Sequence, residues 1–588
     1  MKKLLSIMLV LSMVLVLFTA CSGGEPAKTQ KATGGTKTTF QTEDEKLTDD
    51  PSNSGLMGGI DHDNTSEEET KTQEQTQTGE SGGCSGDCSG DCSFGPTIIP
   101  SALPADINFK GETVNILVAN SQTQTLFTDD LNFDIINDAV YNRNIKVEED
   151  LGVDLNWIVY EGNGASQAFA NHINEIQFNG TGEYDICISN SYYLPSVMPL
   201  MTYTNLYNIP YLDFSKPWWN QNYIQNAALD GQLYTAVGDL SLYSKASAGC
   251  IFFNIELADE HYASLGGAEG IYQLVEDGKW TIDKFTEIVK DKWIDSDGDD
   301  KRSTGDLYGF GSSWDSSLVC NAFQFGMDVS ITQKDENKIP RLSYNNAKNL
   351  EAFNKLYTLA HDCEGVYTNA QYYNDNSYFT NAFINSKMIF HCGPLTDSEK
   401  FKNEMEDEYG ILPMPKFDEA QEGYYTTADS SYLAFVILEG IEQFHCINSD
   451  FTRDYLAGAV LEKLNEESYK IVRPNLCEVV LKYRWLQSDR AEDHDLANFD
   501  LIIDGCRFDF GYIYSNLCNN ISLNVSKMIG KDANKNFEAT FLSVESKFNQ
   551  LISFFTQRSG NASQASWEDS DQSYERRFYE VVDYYLER

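Results

Sequence analysis

The sequence is short of positive charge. It has 43 Lys and Arg residues against 89 Asp and Glu residues, which gives a formal net charge of −46. A field of that sign repels nucleic-acid phosphates and anionic lipid headgroups and therefore argues against nucleic-acid binding. The chain also lacks the catalytic signature H-E-x-x-H and a P-loop. A glycoside hydrolase needs none of these, because two carboxylates can carry its chemistry, so that class stays open.

Aromatic residues are almost missing between residues 22 and 105, where only Phe40 and Phe94 occur. Ser, Thr, Gly, Glu, Gln and Lys dominate this stretch, which cannot bury enough apolar surface to offset the entropy lost on ordering. We therefore predict a disordered tether over residues 21–105, and about eighty flexible residues span roughly 50 Å. Within it a four-residue repeat places thiols at Cys84, Cys88 and Cys92. A metal or redox site and simple low-complexity sequence both remain open for this repeat, because its spacing is not that of a zinc knuckle.

The N-terminus has the pattern of an export signal. Lys2 and Lys3 precede an apolar run over Leu4–Phe18, and small residues then lead into Cys21. A transmembrane helix is the alternative, because the run is close to the minimum spanning length of ~17 residues. The cysteine at the cleavage point resembles the bacterial lipoprotein signal. That resemblance implies a signal peptide over residues 1–20 and a lipidated (palmitate-bearing) Cys21 that holds the protein on the outer face of a membrane.

Thirteen cysteines occur in the chain, nine of them after residue 105. Export permits disulfides, but an odd number of scattered cysteines cannot all pair within the chain. We expect these nine to be buried as small apolar side chains, and no pairing is predicted.

The body begins with a β-α-β-α-β rhythm. Thr113–Ala119 and Val153–Tyr160 read as strands, Leu131–Glu149 and Ser166–Phe178 as helices, and Tyr184–Ser189 as a third strand. This order predicts a mostly parallel sheet flanked by helices. Ligands of such sheets lie beyond the carboxyl ends of the strands. The polar residues that follow the first and third strands are therefore candidate ligand-binding residues: Asn120, Ser121, Asn190, Ser191, Tyr192 and Tyr193.

Blocks spread over residues 111–515 resemble the sugar-type extracellular solute-binding proteins of Gram-positive bacteria. They occur in family order as 136–149 with Leu151-Gly152-Val153, 212–220, 231–239, 252–254, 409–416, 478–482 and 509–514. The resemblance implies an α/β, two-lobed periplasmic-binding-protein-like fold (type II), with mixed sheets flanked by helices and a hinge that closes over a ligand. It implies lobe I over 106–245, lobe II over 246–415, a lobe I return segment over 416–490 and C-terminal helices, mainly of lobe II, over 491–588.

The function implied by this resemblance is capture of a solute, with an oligosaccharide leading, for an ABC permease. We expect a monomer, no enzymatic activity and no required cofactor. A secreted glycoside-active enzyme, or a surface sensor or adhesin that works without a transporter, are the alternatives.

Aromatic residues elsewhere can serve as sugar-stacking surfaces. Trp314 lies in a loop of small polar residues, where a core role is hard to explain, and is a candidate site residue. Tyr424, Tyr425 and Asp429 follow the predicted second crossover and either line the ligand site or cover its rim. The pair at residues 218–219 is a stacking platform or, as we favour, an anchor that packs its segment onto the sheet.

An acidic loop over residues 295–306 has the spacing of a calcium site. Asp295, Asp297, Asp299 and Asp306 stand at loop positions 1, 3, 5 and 12. Position 6 lacks the usual glycine and position 12 the usual glutamate, so a solvated acidic loop is the alternative to a structural calcium. His391-Cys392 has no further ligand at metal-binding spacing, and a loop beside the ligand site is the favoured interpretation.

Overall fold

The structure is a computed structural model that describes residues 99–162, 164, 166–344, 346–367, 376–486, 492–530 and 536–562. The predicted signal peptide, Cys21 and the repeat at Cys84, Cys88 and Cys92 lie outside these residues. The strands are β1 (Glu112–Val118), β2 (Val153–Val159), β3 (Ile186–Asn190), β4 (Gly249–Asn254), β5 (Trp293–Ile294), β6 (Leu307–Gly311), β7 (Thr332–Lys334), β8 (Pro340–Leu342), β9 (Val366–Tyr367), β10 (Met388–Pro394), β11 (Tyr409–Leu412) and β12 (Leu433–Val436).

The α-helices are α1 (Ile135–Leu151), α2 (Gln167–Asn179), α3 (Gln221–Ala227), α4 (Tyr243–Ala246), α5 (Ile255–His261), α6 (Gly267–Glu276), α7 (Ile282–Val289), α8 (Ser317–Gly326), α9 (Ala347–His361), α10 (Asn376–Ile384), α11 (Asp397–Glu404), α12 (Arg453–Glu467), α13 (Glu492–Gly505), α14 (Phe510–Ile513), α15 (Asn524–Ile529) and α16 (Phe537–Ala562). Two π-helical segments, Ser468–Val472 and Asn475–Trp485, continue α12. In the part of the chain that the structure describes, no helix has both the length and the apolar content needed to cross a bilayer.

Two sheets organise the body. Sheet I has the order β12-β3-β1-β2, with β1 parallel to β2 and β3 and with β12 antiparallel to β3. Sheet II has the order β11-β4-β10-β6-β5, and β9 also pairs with β6. Every residue of β3, β4, β6, β11 and β12 is buried, as expected of strands covered on both faces by helices.

The two sheets belong to separate lobes because the chain leaves sheet I after β3, builds sheet II from β4 to β11, and returns to sheet I with β12. We call sheet I with its helices lobe I, and sheet II with its helices lobe II. This is the two-lobed periplasmic-binding-protein-like architecture, so the predicted α/β fold class is confirmed.

Three chain segments lie side by side where the lobes meet. Ala248 pairs with Ala428 in an antiparallel bridge, and Thr426 pairs with Cys506 in a parallel one. The Gly249 N–H also donates to the carbonyl of residue 427 at 3.0 Å. The connections at 247–249, 426–429 and 505–507 therefore form a hinge of the kind about which rigid lobes rotate. The second connection comes later in the chain than the predicted boundary at 415/416.

Trp218 and Trp219 lie inside lobe I, as favoured from the sequence. Both rings are buried, and their indole N–H groups donate to the two carboxylate oxygens of Glu462 on α12, each at 2.9 Å. Burial raises the pKa of Glu462 to about 7, although these bonds favour its charged form. The pair therefore anchors its segment to α12 and is not a stacking platform.

The nine cysteines of the body carry free thiols, and all except Cys477 are buried. This agrees with their expected role as small apolar side chains.

Candidate functional site

The carboxyl edges of both sheets meet at the hinge. Leu433, at the start of β12, is paired with Asn190 at the end of β3, and Gly249, at the start of β4, is paired with Pro394 at the end of β10. The ends of β3 and β10 therefore flank the connections that join the lobes. We call this region the interlobe junction, bounded by residues 120–122, 190–193 and 429–432 of lobe I and by residues 311–316 and 393–397 of lobe II.

Asn190 and Ser191 are fixed at this junction by local hydrogen bonds. The Asn190 Oδ1 accepts from the Tyr192 N–H at 2.9 Å, and the Ser191 hydroxyl donates to the Ser430 carbonyl at 2.7 Å. Both side chains are buried. The end of β3 is thus hydrogen-bonded to the second connection, which places Asp429 at the same edge of sheet I. Its Oδ1 accepts from the N–H of residue 431 at 2.8 Å.

Asn120 and Ser121 follow β1 at the neighbouring position on the same edge. Asn120 is exposed and its Oδ1 accepts from the Gly164 N–H at 2.9 Å, while Ser121 is half-buried. The next residue, Gln122, donates from Nε2 to the Ser431 carbonyl at 3.1 Å. Sequence reasoning missed Gln122, although the polar run after β1 includes it.

Tyr192 and Tyr193 form an edge-to-face pair with ring centroids 4.9 Å apart. Both are half-buried, and the Tyr192 hydroxyl donates to the Asn520 Oδ1 at 2.6 Å. Burial and the adjacent Tyr193 raise the pKa of Tyr192 to about 12, so it remains a neutral donor. Asn520 was not predicted, because no local pattern connects it to β3.

Trp314 follows β6 on the lobe II side and is fully buried. Its ring stacks near Phe323 at 5.9 Å and meets Phe310 edge-on at 5.8 Å. The sequence analysis found a core position for this ring hard to explain, but the structure places the ring in the core of lobe II. Its indole N–H, however, has no hydrogen-bond partner among the described residues. A buried donor without an acceptor costs about 1–3 kcal/mol.

Asp397 begins α11 three residues after β10 and was missed from the sequence. Its Oδ2 would lie 2.5 Å from a Cβ at position 393, so Gly393 leaves the space that the carboxyl group occupies. Burial raises the pKa of Asp397 to about 7, against a lowering influence of Lys400. An acidic residue three positions after a strand end was the available signal.

Tyr424 and Tyr425 have their contacts on lobe II and the third connection. The Tyr424 hydroxyl donates to the Val275 carbonyl at 3.0 Å, and the guanidinium carbon of Arg507 lies 3.3 Å from the Tyr425 ring centroid. Arg507 also lines a groove of about 430 Å³ between α3 and residues 325–334. These contacts favour the rim alternative for the two tyrosines.

His391 lies within β10 and ties that strand to β6. Its Nδ1 donates to the Gly311 carbonyl at 3.0 Å. Burial lowers the pKa of His391 to about 4, so the ring is neutral and structural.

The acidic loop brings together three of its four predicted ligands. Carboxylate oxygens of Asp295, Asp297 and Asp299 lie within 4.8 Å of one another. Asp306 is turned inward and accepts from the Trp293 indole N–H at 3.0 Å and from the N–H of residue 303 at 2.8 Å. Calcium binding by the first three residues stays a prediction.

Comparisons with known proteins give only structural matches. No family model and no curated protein matches the sequence. Solved structures similar to this chain include an ABC substrate-binding protein from Listeria monocytogenes in complex with cycloalternan, which is 13% identical with a TM-score of 0.43 and covers 76% of this chain and 100% of its own. The sugar-binding protein MalE from Xanthomonas citri is 12% identical with a TM-score of 0.46 and covers 77% and 100%. A family 1 extracellular solute-binding protein from Bifidobacterium longum subsp. infantis is 13% identical with a TM-score of 0.45 and covers 75% and 100%.

Proposed function

We propose that the chain captures a polar solute, with an oligosaccharide as the leading class, outside the cytoplasm and delivers it to an ABC permease without breaking its bonds. The observation that carries this proposal is the junction itself: two sheets present their carboxyl edges to a three-segment hinge, and the buried Trp314 N–H there has no acceptor among the described residues. A movement of the lobes that uncovers this N–H would let a hydroxyl-rich guest supply the acceptor.

The side chains at the junction suit a sugar. Tyr192 and Tyr193 offer ring faces and hydroxyls, while the Asp397 carboxyl and the Asn120 carboxamide offer oriented polar groups. Sugar rings present a C–H face and a rim of hydroxyls, so a site for them combines apolar planes with a few placed polar groups.

The test is a thermal-shift screen of the whole exported body against mono- and oligosaccharides, followed by chromatography of the recovered sugar. We expect stabilisation of about 2.7 kcal/mol when the ligand is a hundredfold above its dissociation constant, with the sugar recovered intact. Cleaved sugar would favour the glycoside-active enzyme instead. No shift with any saccharide would contradict the proposed ligand class.

Replacing Trp314 with phenylalanine tests the role of the indole N–H. We expect Trp314→Phe to weaken binding of the saccharide that gives the largest shift by about threefold to tenfold, because a neutral hydrogen bond contributes about 0.5–1.5 kcal/mol. Isothermal titration calorimetry measures this change. Trp280→Phe is the matched control, since the Trp280 N–H already donates to the Pro413 carbonyl at 2.8 Å within lobe II. Trp280→Phe should lower stability and leave the affinity for the saccharide unchanged. If Trp314→Phe binds the saccharide as tightly as the wild type does, Trp314 is not part of the binding site.

The N-terminal sequence supports a lipid anchor at Cys21. We expect Cys21→Ser to move the protein from the membrane fraction to the soluble exported fraction, because only a thiol accepts the lipid and the acyl chains contribute about 0.8 kcal/mol per buried methylene. Membrane fractionation with metabolic palmitate labelling measures it, with Cys84→Ser as the control. A Cys21→Ser protein that stayed membrane-bound would favour the transmembrane alternative.

A further inference from the structure

A groove of about 430 Å³ lies beside the hinge, and it shares no lining residue with the interlobe junction. One wall is α3 of lobe I, with Asn222 and Asn226, and the other is the segment 325–334 of lobe II. Residues 507–510, which continue the third connection, complete the lining. A concave site of this size at the boundary between two rigid bodies is a typical place for a small molecule.

Hydrogen bonds between the lobes hold the walls of this groove in one arrangement. The Lys334 Nζ of β7 donates to the carbonyls of Gln225 and, at 3.2 Å, Ala228 at the C-terminal end of α3. The Phe508 N–H donates to the Asn222 Oδ1 at 2.7 Å, which ties the third connection to the same helix. The groove is therefore formed in advance, and a ligand that enters it loses little free energy in ordering the walls.

The apolar part of the groove is aromatic. Phe325, Phe508 and Phe510 line it, and each is otherwise buried among its neighbours. The Phe508 ring also meets the Tyr432 ring edge-on, with centroids 5.2 Å apart. Tyr432 belongs to the boundary of the interlobe junction, so packed rings lie between the groove and that site.

Arg507 supplies hydrogen-bond donors to the groove. Its guanidinium carbon lies 3.3 Å from the Tyr425 ring centroid, so the ring fixes one face of the guanidinium. Its Nη1 lies 3.6 Å from the Asp328 Oδ1, which is longer than a hydrogen bond. Among the residues that the structure describes, the Arg507 side chain donates no hydrogen bond. The groove therefore contains a positioned, planar set of N–H groups that can still bind an acceptor.

The charges around the groove favour an anion, although the chain as a whole is strongly acidic. The other carboxylate oxygen of Asp328 lies 3.2 Å from the Lys348 Nζ, so this carboxylate is shared by two cations. Asp509 is buried, and both of its oxygens accept from backbone N–H groups. With Lys334, three positive charges lie against two carboxylates, and Arg507 is the cation among them without a hydrogen bond.

We propose that this groove is a second ligand site, which binds a small carboxylate with an apolar body the size of an aromatic ring. The carboxylate accepts two parallel N–H groups of Arg507, the bidentate geometry that guanidinium groups provide. The body of the ligand packs against the three phenylalanine side chains. This site goes beyond the proposed function, because it shares no lining residue with the interlobe junction and needs no saccharide.

Benzoate and its neutral isostere benzamide are the probes, and isothermal titration calorimetry of the whole exported protein without saccharide measures both affinities. We expect the wild type to bind benzoate at least tenfold more tightly than benzamide, because charge-assisted hydrogen bonds are roughly twice as strong as neutral ones. Arg507→Gln should weaken benzoate binding at least tenfold and leave benzamide within twofold. Arg507→Lys keeps the charge and loses the planar fork, so its affinity for benzoate should lie between those of Arg507→Gln and the wild type.

Asn226→Trp tests the location, because an indole on α3 fills the groove and should abolish binding of both probes while Arg507 is kept. Arg341→Gln is the matched control. It removes one positive charge from β8, where Arg341 stands opposite Gln333 but pairs with Asp335 at 3.0 Å outside the groove, and it should bind benzoate within twofold of the wild type.

Four results would each overturn the carboxylate site: a wild type that does not prefer benzoate to benzamide, an Arg507→Gln variant with wild-type affinity for benzoate, an Asn226→Trp variant that still binds the probes, or an Arg341→Gln variant as weak as Arg507→Gln. Thermal unfolding of each variant shows that it is folded before it is titrated. All four results leave solute capture intact, since the saccharide screen uses neither probe.

Discussion

Replacing Arg453 with methionine lowers the free energy of unfolding by about 3–5 kcal/mol, the range for breaking a buried ion pair by removing one partner. Arg453 opens α12 and its guanidinium bonds Glu112 of β1 at 2.9 Å and Asp185 just before β3. Both carboxylate side chains are 2% exposed. Methionine fills much of the same space but leaves two buried like charges facing each other. Urea denaturation followed by far-ultraviolet circular dichroism measures the loss.

The other bonds of this cluster explain why the loss is large. Asp185 accepts from the Asn115 N–H at 2.7 Å, and Glu112 accepts from the N–H groups of Ile447 and Asn448 at 2.9 and 2.8 Å. The cluster therefore joins the amino ends of two sheet I strands to the turn that precedes α12. Those backbone partners hold the carboxylates in place after the arginine is gone, so the charges cannot move to water without opening this edge of the sheet.

Arg341→Met is the control for this prediction. Arg341 pairs with Asp335 at 3.0 Å, but its side chain is 57% exposed, and exposed pairs contribute only about 0–1 kcal/mol. A loss below about 1 kcal/mol for Arg453→Met as well would show that the buried carboxylates are solvated or protonated and that the cluster does not hold lobe I together.

Local patterns were enough to predict the first part of lobe I. The strand predicted at 113–119 is observed at Glu112–Val118, and the one predicted at 153–160 at Val153–Val159. The helix predicted from Leu131 begins instead at Ile135. The apolar periodicity of this helix extends back to Leu131. However, the Asp134 side chain accepts hydrogen bonds from N–H groups of the first turn, and Phe133 before it has a positive φ, so the helix cannot begin earlier than Ile135.

Residues of the candidate site could be predicted from the sequence only where they directly follow a predicted strand. Asn190 and Ser191 lie at the interlobe junction because they directly follow a strand whose register is set by its buried face. Asn520 lies there because it accepts a hydrogen bond from Tyr192, a residue 328 positions earlier in the chain. Such contacts depend on how the lobes and the C-terminal helices pack, and no local periodicity contains that information.

Trp314 shows a different limit of sequence reasoning. Small polar neighbours suggested an exposed loop, yet Phe310 and Phe323 from the strand before it and the helix after it cover the ring. A residue can be both core and binding group when its ring packs inward while its one polar atom stays unpaired. Composition cannot separate the observed core role of Trp314 from its proposed binding role, because the ring would serve the first and the indole N–H the second.

Raising the pH from 5.5 to 8 lowers the free energy of unfolding by about 3 kcal/mol through Asp495 alone. This residue of α13 is about 1% exposed, and burial raises its pKa to about 8, with the charge of Glu408 acting in the same direction. Hydrogen bonds from the Ile411 N–H at 2.9 Å and from the Tyr272 hydroxyl at 2.8 Å oppose the shift without cancelling it. The folded protein therefore keeps this carboxyl protonated at neutral pH, whereas the unfolded chain ionises it near pH 3.9.

The sign follows from these two values. Because the folded-state pKa lies above the unfolded one, the stabilisation is complete below about pH 4 and is lost as the pH rises towards 8, at up to about 1.4 kcal/mol per pH unit. Asp495→Asn keeps an acceptor for both donors and cannot ionise, so we expect a flatter dependence and a variant that gains on the wild type at the alkaline end. Urea denaturation at intervals from pH 5.5 to 8 measures both slopes. Asp493→Asn, two residues earlier on the exposed side of the same helix, should keep the wild-type slope, and parallel slopes for Asp495→Asn and the wild type would show that Asp495 is ionised in the folded protein.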